Sequence, residues 1–176
     1  MKCDYCKIIE GEEEAEIIYQ DNEILAFVSK LSLVPGQVTI TTKEHFTIFE
    51  QLPKKLVSKL SVISNKLSIS IFDGLQCQGT NILINNGLGA GQTVPHFSLQ
   101  IIPRKEGDGL DLQWEPQKLE EYDMDDSLIQ INSLTDGLII EDHDKEEVVM
   151  SEGKTEVVLE KDDEDNYLLK SLKRRP

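Results

Sequence analysis

Three cysteines, three histidines and one tryptophan in 176 residues leave little material for several kinds of chemistry. An odd, sparse cysteine count argues against a disulfide framework. Two of the three fall in Cys3-Asp4-Tyr5-Cys6, a spacing open to metal binding or to redox chemistry. No apolar run approaches membrane-spanning length and nothing at the N-terminus reads as a signal peptide, so a soluble cytoplasmic chain with no membrane partner is expected.

What the chain has in excess is negative charge, a net −15, and it is unevenly placed. Residues 1–105 carry ten basic and eleven acidic side chains, whereas residues 106–165 carry four and twenty-two. The last eleven residues return +4. The acidity therefore belongs to an extension, and nucleic acid is not expected there because phosphate would be repelled. The length suits one ordinary domain plus such an extension. The expected division is a domain over 1–115, a partly mobile acidic extension over 116–165 and a basic-apolar motif over 166–176.

Local signals order the first part. Cys3–Gly11 reads as a short helix stopped by Gly11. Glu16–Tyr19 and Glu23–Val28 read as strands about a tight turn at Gln20-Asp21-Asn22. After the Pro35-Gly36 turn, Gln37–Thr42 reads as a strand with Val38 and Ile40 on one face and threonines on the other. Leu52–Phe72 is the long helical candidate, since Leu56, Leu60, Ile63, Leu67 and Ile71 recur at helical spacing and Pro53 fits its first turn. Thr80–Asn85 and His96–Pro103 are strands around the loop Asn86–Val94. In the second of them Val94, His96, Ser98, Gln100 and Ile102 share one face, and Phe97, Leu99 and Ile101 the other. Strands, one long helix and two more strands make an α+β domain on an antiparallel sheet. Leu110–Tyr122 reads as an edge strand and a short helix begun by Pro116, with Trp114 as a packing anchor. Beyond it, the apolar clusters at Leu138–Ile140, Val148–Met150 and Val157–Leu159 are open to two readings, hairpin strands or transient structure.

An ordered series of landmarks runs through the first 114 residues. Cys3-x-x-Cys6-Lys7-Ile8-Ile9-Glu10-Gly11, Ala26-Phe27, Pro35-Gly36, Lys43-x-His45 and Asn85-Asn86-Gly87 lead into Gly91-Gln92-Thr93-Val94-Pro95-His96-Phe97-Ser98-Leu99-Gln100-Ile101-Ile102-Pro103-Arg104. This resembles the signature of the histidine-triad (HIT) superfamily, a Gly-Gln-x-Val-x-His-x-His-x-His strand ending in Pro-Arg, in the Cys-x-x-Cys zinc-containing type of bacteria and archaea. The resemblance implies the HIT fold and two-fold homodimers. It also implies a structural zinc ion held by Cys3, Cys6, His45 and His96, a closed set of two thiolates and two imidazoles. His143 and Cys77 lack such company.

The triad itself is degenerate, reading His96, Ser98 and Gln100. In active family members the middle histidine attacks the α-phosphorus of a nucleotide and forms a covalent intermediate, work suited to a neutral imidazole near pH 7. A serine hydroxyl has a very high pKa and needs an adjacent base, and a zinc-bound His96 has no lone pair to offer. No catalytic residue is therefore expected. Ser29 and Gln37 also replace residues usual on the nucleoside side. Asn85, Gly91, Gln92 and Thr93 match the phosphate side, which leaves two readings: weak binding of a purine nucleotide, or glycines kept for turn geometry. The expectation is a zinc-stabilised, silent module, with a protein partner engaging the sheet surface or the C-terminal motif. The alternatives are an AMP-linked nucleotide hydrolase or nucleotidyltransferase, or a sensor that binds without cleaving. Tyr167, Leu168, Leu169 and Leu172 at helical spacing make that motif a docking element.

Overall fold

Asp21 turns the chain between its first two strands. Its carboxylate accepts hydrogen bonds from the backbone N–H groups of Glu23 (2.8 Å) and Ile24 (2.9 Å), the side-chain-stabilised turn that a short polar residue supplies. The computed structural model describes residues 3–111 and 115–135. Within them the elements are α1 (Asp4–Ile9), β1 (Glu16–Gln20), β2 (Ile24–Val28), β3 (Val38–Thr42), α2 (Lys54–Leu75), β4 (Gly79–Ile84), β5 (Ser98–Arg104) and α3 (Glu121–Thr135). The five strands form one sheet in the order β1-β2-β3-β5-β4, every pair antiparallel. The expected α+β class on an antiparallel sheet is what the chain adopts.

The alternation of β3 and β5 separates the two sheet faces. Val38 and Ile40 of β3 join Phe97, Leu99 and Ile101 in the buried core, with Leu56, Leu60, Ile63 and Ile71 of α2 packed on them. Register then sets the other face: Thr39 lies opposite Gln100, and Thr41 opposite Ser98. A hydroxyl and an amide thus meet across two strands, in the middle of the sheet. The Ser68 and Thr80 hydroxyls bond at 2.9 Å, tying α2 to β4.

Two places required close backbone approach. Gly36 adopts φ +83, and a methyl group there would drive into Leu75 of α2. Gln76 ends α2 in the left-handed conformation (φ 48). At the far end of β5, Arg104 ties off the domain. Its guanidinium pairs with the Asp108 carboxylate (2.6 and 3.0 Å), donates to Asn81 (2.7 Å) and reaches the carbonyl of Leu110 (2.5 Å).

Some boundaries differ from expectation. The long helix runs Lys54–Leu75 instead of Leu52–Phe72, because Pro53 (ψ 143) is its N-cap and not its first turn. β5 begins at Ser98: the His96 N–H turns back to the Val94 carbonyl (2.8 Å) and the Phe97 N–H bonds Phe46 (2.6 Å). The edge strand and Pro116-started helix expected over Leu110–Tyr122 are absent among the described residues. Residues 115–120 are irregular, and helix starts at Glu121 with Glu121 and Asp123 in its first turn, where acidic side chains suit the helix dipole. α3 belongs to a second unit that begins at Asp111, and none of its residues is buried. No helix among the described residues is long and apolar enough to cross a membrane. Trp114, the three apolar clusters, His143 and the C-terminal motif lie outside the described residues.

Candidate metal centre and ligand pocket

Cys3 caps α1, its Sγ accepting the Cys6 N–H at 3.3 Å, and this turn brings both sulfurs together at 3.1 Å. Both thiols are free of a disulfide. The histidines arrive from two segments laid side by side. The Thr42 hydroxyl donates to the Glu44 carbonyl (2.8 Å), shaping the turn before His45. The Phe97 N–H to Phe46 carbonyl bond then draws the start of β5 alongside. The two imidazole rings come to a centroid separation of 4.7 Å.

Four ligand atoms result, all within 4.8 Å of one another. His45 Nδ1 stands 3.6 Å from Cys3 Sγ and 3.2 Å from Cys6 Sγ; His96 Nδ1 stands 3.3 and 3.5 Å from the same sulfurs. A tetrahedral zinc ion with ordinary bond lengths needs sulfur–sulfur and sulfur–nitrogen separations of roughly 3.5–3.8 Å. The group therefore fits such an ion with movements of a few tenths of an ångström, and these four residues can hold a metal.

His96 is prepared for that role. It is fully buried, and Nε2 donates to the Thr42 carbonyl at 2.8 Å, which leaves the Nδ1 lone pair aimed at the sulfurs. Burial pushes its pKa down and the nearby His45 adds to the push, against the Thr42 hydrogen bond, so the ring stays in the neutral form a ligand requires. Tyr5, between the two cysteines, packs edge-on against Phe27 (5.7 Å) and His96 (6.0 Å).

Beside this cluster lies an open cavity of about 580 Å³. Ser98 and Gln100 form its floor with Gln37 and Thr39. Asn85, Gly91, Gln92 and Thr93 come from the loop above, and Tyr5, Leu31, Leu33 and Val94 supply apolar wall. All the positions expected to touch phosphate are thus brought to one cavity with both altered triad positions. Their internal bonds differ. The Gln92 amide is consumed by the loop, donating to the Thr47 and Val94 carbonyls (2.7 and 3.0 Å) and accepting the Gly87 N–H (2.8 Å). The Gly91 and Gln92 backbone N–H groups close the same turn, on Leu88 and Gly87. Asn85 reaches the Gly91 carbonyl at 3.5 Å.

The triad row is a set of neutral partners. Gln100 Oε1 accepts from Gln37 Nε2 (3.0 Å) and from the Thr39 hydroxyl (2.8 Å), and Gln100 Nε2 donates to Ser98 Oγ (3.3 Å). Both ring nitrogens of His96 face elsewhere, one to Thr42 and one to the sulfurs, so His96 is not positioned as a base for Ser98. Sequence reasoning missed Tyr5 and Thr39 as pocket residues. Thr39 was within reach, since it sits on the threonine face of β3; Tyr5 required knowing where α1 docks.

The comparisons agree with this geometry. The HIT-domain family profile matches residues 10–107. An uncharacterised HIT-like protein of Methanocaldococcus jannaschii is 33% identical over 129 residues, 73% of this chain and 98% of the relative. An adenylylsulfatase of Arabidopsis thaliana is 34% identical over 126 residues, 69% of this chain and 60% of the relative. The crystal structure of a zinc-bound histidine triad family protein from Mycobacterium smegmatis superposes with a TM-score of 0.59 at 29% identity, covering 76% of this chain and 98% of that one. The fold, the cysteine–histidine cluster and the extent of these matches lead to one assignment: the chain belongs to the HIT-domain family.

Proposed function

We propose that this protein is a zinc-pinned HIT domain that holds a nucleotide or a protein partner without cleaving anything. One observation carries the reading. Ser98 stands where the resemblance puts the nucleophilic histidine; its hydroxyl accepts from the Gln100 amide, and both ring nitrogens of His96, two residues earlier, are otherwise committed. An unactivated serine hydroxyl does not attack phosphorus at a useful rate, and a serine phosphodiester would be a stable dead end. Zinc at Cys3, Cys6, His45 and His96 would be closed by four protein ligands, so it would pin α1 to the sheet instead of activating water. The zinc-bound relative supports that choice of metal.

The test is incubation with adenosine 5′-phosphoramidate and a dinucleoside polyphosphate, followed by chromatography for AMP. No release is expected. Turnover that Ser98→Ala abolishes would overturn the silent reading. Metal analysis should return about one zinc per chain. The runner-up is a nucleotide hydrolase, and the similarity to an adenylylsulfatase is what favours it.

Partners follow from exposed features. β4 is an open sheet edge with Ile82 half exposed, and Val62 and Ile69 of α2 are exposed, which supports pairing of two copies. Light scattering should return twice the monomer mass. The basic-apolar segment 166–176 is the proposed protein-docking element, and a pull-down comparing the full chain with one ending near Tyr122 tests it. A dithiol kept available for metal fits a reducing compartment, the cytoplasm.

A further inference from the structure

The Cys3 and Cys6 sulfurs stand between two covalent states. They lie 3.1 Å apart. A tetrahedral zinc ion asks for roughly 3.5–3.8 Å between them, and a disulfide for about 2.05 Å. The first needs an opening of a few tenths of an ångström, the second a closing of about 1 Å. One turn of α1 carries both residues and none of that helix is buried, so either movement leaves the core packed.

The pair is within reach of solvent. His45 is exposed and both cysteines are half-buried, whereas His96 is fully buried. A small polar oxidant therefore meets the sulfurs from the His45 side. Cys77, the third thiol, is buried after α2 and stands outside the group. Oxidation that begins at Cys3 or Cys6 is accordingly completed by the other member of the pair.

Metal and disulfide exclude each other. A closed zinc site takes both sulfurs as thiolates, and a disulfide leaves neither. Only the two imidazoles remain, half of a four-ligand set. From this we infer that Cys3 and Cys6 form an oxidation site for peroxides, at which a disulfide displaces the metal. The inference rests on the zinc reading above and gives that same site a second state. One thiolate attacks a peroxide oxygen, the O–O bond breaks, and a sulfenic acid forms as hydroxide leaves. The second thiolate attacks that sulfur, the S–S bond forms, and the S–O bond breaks with loss of a second hydroxide. Two electrons pass from the sulfur pair to the peroxide, and zinc leaves as Zn²⁺, its charge matched by the two hydroxides. Thiol reductants reverse the step, as expected of a transient disulfide in a reducing compartment.

Tyr5 carries the exchange to the cavity. It lies between the two cysteines, packs edge-on against Phe27 and His96, and lines the cavity that holds Ser98 and Gln100. A six-residue helix no longer joined to His45 and His96 does not hold its place, so the oxidised chain loses this aromatic wall.

The test is stepwise addition of hydrogen peroxide to the zinc-loaded full chain, with a chromogenic zinc chelator in solution and intact-mass spectrometry of each sample. About one zinc per chain should be released as the mass falls by two hydrogens, and peptide mapping should find the bridge at Cys3–Cys6. A dithiol reductant with added zinc should restore mass and metal together. Hydrogen exchange over residues 3–12 should rise in step with release while α2 stays protected. Cys77→Ser should change none of this, and Cys6→Ser should stop at a sulfenic acid on Cys3 that dimedone traps. Zinc retained while the chain gains oxygen, release without a bridge, or a bridge to Cys77 would overturn the inference. A chain that holds no zinc before peroxide would instead overturn the metal reading on which it rests, so the two failures are distinct.

Discussion

Removal of the metal should release α1 and leave the sheet standing. The helix has six residues and buries none of them, so it cannot persist alone. Ordering six residues costs about 6–12 kcal/mol of backbone entropy, at ~1–2 kcal/mol each. The visible offsets are small: the Cys3 cap, an exposed Lys7–Asp4 pair at 2.7 Å and the two edge-on contacts of Tyr5. Together these amount to a few kcal/mol. A structural zinc ion at this group, worth on the order of 10–16 kcal/mol in small domains, would close the difference. The core does not include any α1 residue. What chelation costs the remainder is the uncovering of Phe27 and His96 beneath Tyr5, about 2 kcal/mol, or a fall in Tm of about 10 °C. Hydrogen-exchange mass spectrometry should show residues 3–12 losing protection on chelation while α2 and β5 keep theirs. Zinc added back should restore both exchange and Tm. A metal-free protein whose α1 is already protected, or a chelated protein whose sheet exchanges together with α1, would refute the reasoning.

Three further outcomes follow from particular side chains. Ser98→His should create AMP release from adenosine 5′-phosphoramidate where none is expected of the natural chain; a folded variant that stays inert would mean that more than the nucleophile is missing. Gly36→Ala should destabilise by about 1–2 kcal/mol in urea unfolding, from the positive φ, with the exposed Leu75 side chain moving aside, whereas Gly74→Ala, with open space beside it, should be neutral or gain up to about 1 kcal/mol. Equal effects would show that the turn at Gly36 is not tight. Burial alone would raise the Asp21 carboxyl pKa, but the Tyr19 hydroxyl, the Glu23 and Ile24 N–H groups and Lys59 hold it well below the carboxylate range. Its stabilisation is therefore present above the unfolded value of about 4 and is lost as pH falls below it. Asp21→Asn should accordingly flatten the acid side of a Tm-against-pH curve, and an unchanged slope below pH 4 would count against this.

The residues differ in how plainly they announced their places. The period-two pattern of β5 separated Phe97, Leu99 and Ile101 from His96, Ser98 and Gln100, and the sheet obeys that division because only one face meets α2. The apolar spacing of Leu56, Leu60, Ile63 and Ile71 likewise marked the buried side of α2. α3 gave no such sign: Leu128, Ile129, Ile131 and Leu134 are exposed, so no buried stripe disciplined their spacing. The cysteine–histidine group was legible through family resemblance, since no local rule links Cys3 with His96, 93 residues on. The hydrogen-bond network of Gln37, Thr39, Gln100 and Ser98 was not legible at all. It depends on strand register bringing Gln37 and Thr39 to Gln100, and on one backbone N–H at Leu33 choosing which way two amides point.

The Arg104 clamp bears on how this chain can vary over evolutionary time. One guanidinium binds Asp108, Asn81 and the Leu110 carbonyl, so a single side chain ties the turn after β5 to β4. The family match stops at residue 107, within that clamp. A change at Arg104 would release three partners at once, so this position tolerates less variation than the turn residues it holds. Variation is thereby steered toward positions on which nothing else depends, and Arg104 is not one of them.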